Sequence, residues 1–155
     1  MTAQLEERLI YQGVDLAMCS EPLDHYFALV GSKPNFARSN TALWRNYIGT
    51  WEILDDKLYI IGLKATMHDG SAASLETVFP DFPNRVFADW YSGELRVPRG
   101  KLIQFVHMGY SSKSEEDLFL TIANGMLTGT GIIKNSIGEN EADGDIGIPE
   151  FLTNR

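Results

Sequence analysis

The amino-acid sequence predicts a mainly β (α+β) fold, an antiparallel meander of about eight or nine strands with one short helix near residues 21–31. Three observations predict it. Turn dipeptides recur between apolar segments, these segments alternate apolar with polar residues, and one stretch has the spacing of a helix. Short strands separated by regular turns are typical of both a barrel and a sandwich, and the two alternatives stay open.

Four dipeptides predict hairpin turns: Gln12-Gly13, Asp55-Asp56, Ser92-Gly93 and Asn124-Gly125. The last is the strongest signal, because both central residues of a two-residue type I′ turn need positive φ and Asn-Gly supplies them. Four hairpins account for eight strands. The apolar segment KLIQFVHMG at residues 101–109 supplies a ninth.

Alternation assigns the two faces of these strands. Trp51 and Ile53 share one face of their strand, as do Leu95 and Val97 of theirs. The segment at residues 57–63 is apolar on both faces, which predicts a central position in the sheet.

One helix follows from four apolar residues at i, i+3, i+4 and i+7: Leu23, Tyr26, Phe27 and Val30. This spacing makes one apolar stripe. Ser20 is the predicted N-cap, Pro22 fits the first turn, and Gly31 ends the helix. A second, short helical turn is predicted within residues 73–79.

Length and charge predict one β-rich domain at residues 1–134 and an acidic, flexible tail at residues 135–155. The net charge is −8, and the tail holds five acids and one base, which gives −4. Four apolar residues of the tail could dock on the body of the protein or on a partner: Ile146, Ile148, Phe151 and Leu152.

Composition excludes several classes. No apolar run reaches the ~20 residues that a membrane helix needs, so no membrane association is expected. The N-terminus lacks the pattern of a secretory signal, and the single cysteine, Cys19, forms no internal disulfide, which together predict a cytoplasmic protein. The negative charge argues against nucleic acid and favours a basic protein partner.

No cofactor or metal is predicted, because the sequence has no phosphate-binding loop and no zinc-ligand spacing. The weak catalytic candidates are Asp89 and His107. His107 lies between apolar residues and needs a partner for a ring nitrogen, and an Asp–His pair can perform acid–base chemistry. The alternative is a structural hydrogen bond, favoured because no nucleophile completes a catalytic group.

Aromatic residues and arginines lie close together in the sequence and are candidates for binding a ligand or a partner: Trp90, Tyr91, Arg96, Tyr110 and Arg45. Tryptophan and tyrosine have polar tips and often surround pockets and interfaces, and arginine can hold an anionic group. The alternative is core packing with a charged outer face.

The segments LWRNYIGTWEILDDKLYIIGL and VFADWYSGELRVPRGKLIQFVHMGY carry a resemblance, which covers about residues 43–63 and 86–125. The chain resembles a group of small uncharacterised bacterial proteins with WRxYIxTWEI, FADW(F/Y)(S/T)GxLR(I/V)P and YVHMGY blocks. No activity is known for the group, so the resemblance implies a bacterial or phage setting. Phe105 departs from the tyrosine of the last block.

The leading hypothesis is a non-enzymatic binding protein, in its sharper form an immunity protein that neutralises a basic bacterial toxin or a defence component. Acidic surfaces accelerate the capture of basic partners. One alternative is a small-ligand-binding β-barrel or an enzyme that uses Asp89 and His107. Another is a structural homodimer whose aromatic residues form the dimer interface.

Overall fold

The fold is taken from a computed structural model, which describes residues 4–38, 42–82, 84–104, 110 and 113–135, with residues 101–104 described in their backbone. The predicted tail from residue 136 onward and His107 lie outside the described residues. The division of the chain into a domain and a tail therefore stays a prediction.

Nine strands and two helices make up the described chain. In order they are β1 (Glu7–Tyr11), β2 (Val14–Met18), α1 (Pro22–Val30), β3 (Ile48–Leu54), β4 (Lys57–Thr66), β5 (Ala72–Ala73), α2 (Leu75–Val78), β6 (Val86–Phe87), β7 (Gly93–Gln104), β8 (Lys113–Ala123) and β9 (Met126–Lys134). The prediction of a mainly β fold with one short helix near residues 21–31 is confirmed. No helix in the described ranges is long and apolar enough to cross a bilayer.

The strands form one sheet in the order β2-β1-β3-β4-β9-β8-β7, and β5 and β6 also pair with β4. The sheet is mixed, because β1 runs parallel to β3, and the prediction of a purely antiparallel meander is wrong at this point. A helix and the chain that follows it separate β2 from β3, so the chain returns to pair with β1 in the same direction.

The sheet does not close into a barrel. Its end strands, β2 and β7, form no ladder with each other in the described chain, although the residues that follow β2 contact β7, where the Cys19 amide donates to the Arg96 carbonyl at 2.8 Å. Near its middle, β4 meets β9 at a single register pair, Lys57 and Met126. This junction divides the sheet into an N-terminal part (β1–β6) and a C-terminal part (β7–β9), as in a sandwich.

Three of the four predicted turns are confirmed. Gln12-Gly13, Asp55-Asp56 and Asn124-Gly125 join antiparallel neighbours, and all six residues have positive φ. The Ser92-Gly93 hairpin is wrong, because β6, which precedes it, pairs with β4 and not with β7.

The predicted ninth strand at residues 101–109 is also revised. Residues 101–104 continue β7, which runs from Gly93 through Pro98 to Gln104, and residues 105–109 lie outside the described chain. Pro98 is tolerated because β7 is an end strand of the sheet, so its outer side needs no ladder hydrogen bond from this residue. The ninth strand is instead the short β5.

Helix α1 begins at Pro22 and ends before Gly31, whose φ of 74° confirms it as the residue that stops the helix. Two details differ from prediction. Ser20 does not cap the helix, since its hydroxyl accepts a hydrogen bond from the Arg96 amide at 3.0 Å. Val30 is half-exposed, while Leu23 and Phe27 face the core.

The core lies between the two parts of the sheet and under α1. The residues assigned to shared faces by alternation are all buried: Trp51, Ile53, Leu95 and Val97. Leu118, Leu120 and Ile122 share a face of β8 and are buried too. Leu58 and Ile60 of β4 are fully buried, which agrees with the central position predicted for that strand.

Candidate functional site

A buried ion pair lies where β1 meets β3. Two guanidinium nitrogens of Arg45, Nε and Nη2, donate to Glu7 Oε2 at 2.9 and 2.7 Å. The Gly49 amide donates to the same oxygen at 2.8 Å, and the Trp51 indole donates to Glu7 Oε1 at 2.9 Å. Both oxygens of a fully buried carboxylate are therefore hydrogen-bonded.

The strand geometry explains this placement. Glu7 shares a face of β1 with Leu9, and both are fully buried. Arg45 lies in the turn just before β3, next to Asn46, whose φ of 66° helps the chain reverse direction there. Burial raises the pKa of Glu7 from 4.5 to about 7, against the opposing effects of Arg45, Trp51 and Gly49.

Tyr110 extends this cluster towards α1. Its hydroxyl donates to Glu21 Oε2 at 2.5 Å and accepts a hydrogen bond from Arg45 Nη1 at 3.2 Å. Arg45 Nη1 also donates to the Leu5 carbonyl at 2.9 Å. Burial raises the pKa of Tyr110 well above its usual range, so the phenol keeps its proton and acts as a hydrogen-bond donor.

Arg96 joins the same region from β7. Its Nη1 donates to the Tyr110 carbonyl at 2.6 Å and its Nε to Asp117 Oδ1 at 3.2 Å. The structure thus brings together three of the residues singled out from the sequence, Arg45, Arg96 and Tyr110. Their contacts are internal and connect β1, α1, β7 and β8.

Trp90 and Tyr91 lie in a separate aromatic group. The Trp90 indole donates to the Pro22 carbonyl at 2.9 Å, and its ring centroid lies 4.8 Å from that of Tyr26. The Tyr91 hydroxyl donates to the Glu94 carbonyl at 3.0 Å. Both polar tips therefore have backbone partners inside the fold.

Asp89 is exposed, at the surface between β6 and β7. His107 lies outside the described residues, so the Asp89–His107 pair stays a prediction. No group of three or more histidine, cysteine, aspartate or glutamate residues in the described ranges could hold a metal ion.

A groove of about 600 Å³ opens beside β4 and β5, at the end of β4 opposite its turn with β3. Most of its lining is apolar: Leu5, Ala37, Leu43, Ile48, Leu63, Ala65, Ala72 and Ala73. The polar lining residues are Arg38, Asn46, Lys64 and Thr66. Its volume lies within the ~300–1,000 Å³ of typical ligand sites.

Two cations of this groove have no carboxylate partner. Arg38 and Lys64 are exposed, and neither forms an ion pair with any residue that the structure describes. The described lining contains no acid, although the chain carries a net charge of −8. Trp44, 53% exposed, follows the lining residue Leu43.

Sequence reasoning missed both Glu7 and the groove. Glu7 had a signal, because it stands one residue before the strand predicted at residues 8–11, and a strand longer by that residue places Glu7 on the same face as Leu9. No sequence pattern indicated the groove. Arg38 and Lys64 are far apart in the chain, and their segments come together through the bridge between Phe36 and Met67.

The chain has no detectable relative among the proteins compared with it. No family model, curated protein or solved structure matches it.

Proposed function

We propose that this protein is a non-enzymatic binding protein whose ligand carries an anionic group on an apolar body and binds in the groove beside β4. One observation carries the proposal. Arg38 and Lys64, two cations without a carboxylate partner in the described chain, line an otherwise largely apolar cavity of about 600 Å³.

Such a lining suits a fatty carboxylate or a similar amphipathic anion. The apolar residues gain free energy by covering a hydrocarbon, and the cations hold the charged end. The lining supports binding without chemistry, because the described lining offers no histidine, cysteine or carboxylate to act as a base or nucleophile.

Three of the residues that the sequence singled out for ligand binding already have hydrogen-bond partners inside the protein. Arg45, Arg96 and Tyr110 are engaged with Glu7, Asp117 and Glu21, so a ligand would have to break internal hydrogen bonds to use them. Arg38 and Lys64 meet a ligand without that cost, which favours the groove.

The experiment is a calorimetric titration of the full chain with octanoate and with uncharged 1-octanol. Octanoate should bind more tightly, and Lys64→Gln should weaken octanoate binding by about 1.5-fold to fivefold, the range for an exposed charge pair. Lys57→Gln is the matched control, because Lys57 is an exposed lysine at the opposite end of the same strand. Equal affinity for 1-octanol, or no effect of Lys64→Gln, contradicts the proposal.

A second candidate is the partner-neutralising protein expected from the sequence. Asp55 and Asp56 both have positive φ (53° and 60°) in a turn where Asn-Gly would fit with less strain. Strained acids beside the exposed Leu54 favour a surface for a basic protein. Hexalysine in the same titration separates the candidates: binding that Asp55→Asn with Asp56→Gly abolishes supports this one.

A further inference from the structure

The groove beside β4 has a complementary segment within the same chain. We propose that residues 139–152 occupy the groove, with their acids opposite Arg38 and Lys64 and their apolar residues against its floor. The tail is then an internal competitor of the anionic ligand. This inference rests on the proposed function, since it assigns a regulator to the same site.

The charges of the two surfaces are opposite. The described lining carries two positive charges and no acid. The segment carries Glu139, Glu141, Asp143, Asp145 and Glu150 and no base. Opposite charges on exposed surfaces attract within a Debye length, ~8 Å at physiological salt.

The apolar composition also fits. Four apolar residues fall within seven positions of the segment: Ile146, Ile148, Phe151 and Leu152. An amphipathic segment of this kind has the same chemistry as the proposed ligand, an apolar body beside negative charge. The lining residues Leu5, Leu43, Ile48 and Leu63 supply the matching surface.

A series of hydrogen bonds connects the start of the tail with the groove. Asn135, the last described residue, donates to Asp117 at 3.2 Å, and Asp117 accepts from Arg96 at 3.2 Å. Arg96 donates to the Tyr110 carbonyl at 2.6 Å, and the Tyr110 hydroxyl accepts from Arg45 Nη1 at 3.2 Å. Arg45 Nη1 also donates to the carbonyl of Leu5, a lining residue, at 2.9 Å. Five hydrogen bonds thus connect Asn135, where the described chain ends, with a lining residue of the groove.

The tail is long enough to follow this path. The ten residues 136–145 span at most ~33–36 Å when extended. A compact chain of 155 residues has a radius of gyration of ~15 Å, less than half that length. A tethered segment has an effective concentration in the millimolar range, so weak contacts are enough to occupy the groove.

The test uses the full chain and nuclear magnetic resonance. Phe151→Ala with Leu152→Ala should shift the backbone amide signals of Leu63, Ala65 and Ala72, although these residues are distant in sequence. The matched control is Thr153→Ala with Asn154→Ala, adjacent polar residues outside the apolar cluster. The control should leave these amides unchanged.

The same variants report competition. Removing Phe151 and Leu152 should raise the octanoate affinity by about threefold or more, because the ligand no longer displaces an internal occupant. Groove amides that do not respond to Phe151→Ala with Leu152→Ala overturn the inference, even if octanoate binds as proposed. Groove amides that respond, together with no octanoate binding even in Phe151→Ala with Leu152→Ala, support the tail as occupant and overturn the proposed function alone.

Discussion

Two ion pairs on opposite faces of β1 differ mainly in their surroundings. Glu7 pairs with Arg45 in the interior, and the next residue, Arg8, pairs with Asp15 at the surface. The closest nitrogen–oxygen distances are almost equal, 2.7 and 2.8 Å. In the first pair the Glu7 side chain is 0% exposed and that of Arg45 3%. In the second the Arg8 side chain is 43% exposed and that of Asp15 65%.

The difference shows that the nitrogen–oxygen distance of an ion pair does not measure its contribution to the free energy of unfolding. Water solvates Arg8 and Asp15 in the absence of each other, so their pairing gains little free energy. Glu7 has been removed from water, and its charge depends on the partners that the fold supplies. The interior pair therefore fixes how β1, β3 and the turn before β3 meet, whereas the surface pair does not.

The largest expected effect is that of Arg45→Met. This change leaves Glu7 buried with two hydrogen bonds and no counter-charge, so the free energy of unfolding at pH 8 should fall by about 3–5 kcal/mol. Urea unfolding followed by circular dichroism measures it. A loss below about 1 kcal/mol, the range of surface pairs, would mean that the two pairs are equivalent.

A smaller effect should appear in the pH dependence of stability. Burial raises the pKa of Glu7 from 4.5 to about 7, so between these values the folded state holds a proton that the unfolded state has released. The contribution of Glu7 to the free energy of unfolding is complete below pH 4.5 and is lost as the pH rises through about 7. Urea unfolding at pH 5 and pH 8 measures this loss: the free energy of unfolding should fall more between these pH values for the wild type than for Glu7→Gln. Parallel pH profiles of the two proteins would contradict it.

The smallest effect is expected for Arg8→Met. The free energy of unfolding should change by less than about 1 kcal/mol, because both partners of this pair remain solvated. Repeating the urea titration in 1 M sodium chloride should remove even this difference, since salt screens exposed charges. A loss as large as that of Arg45→Met would remove the distinction between the two faces of β1.

The sequence predicted the local parts of the fold well. Asn124-Gly125 was predicted as a turn because its conformation depends on two residues alone, and the same holds for Gly31 at the end of α1. The parallel pairing of β1 with β3 was not predicted, because it depends on where the chain returns after some forty residues. Ser92-Gly93 was predicted as a hairpin turn, but the strand before it, β6, pairs with β4 instead of β7.

The candidate site was predicted less well for a related reason. Arg45, Arg96 and Tyr110 were singled out as candidates for binding a ligand or a partner, and the structure connects them with one another, while their binding role stays a prediction. Their partners Glu7 and Glu21 come from distant positions in the chain, and the sequence does not show that each charge is compensated inside. The groove cations, Arg38 and Lys64, line the same groove only after the segment at Phe36 has paired with Met67, which follows β4.

The narrow junction between β4 and β9 has a consequence for synthesis. The N-terminal part of the sheet comes from residues 7–87 and the C-terminal part from residues 93–134, so the first part leaves the ribosome before the second is made. Until then Trp51 and Leu58 lack the cover of Leu95 and Leu120, which belong to the same core. The nascent chain therefore carries an apolar surface that a chaperone would recognise. Slow translation would keep this surface exposed to solvent for longer.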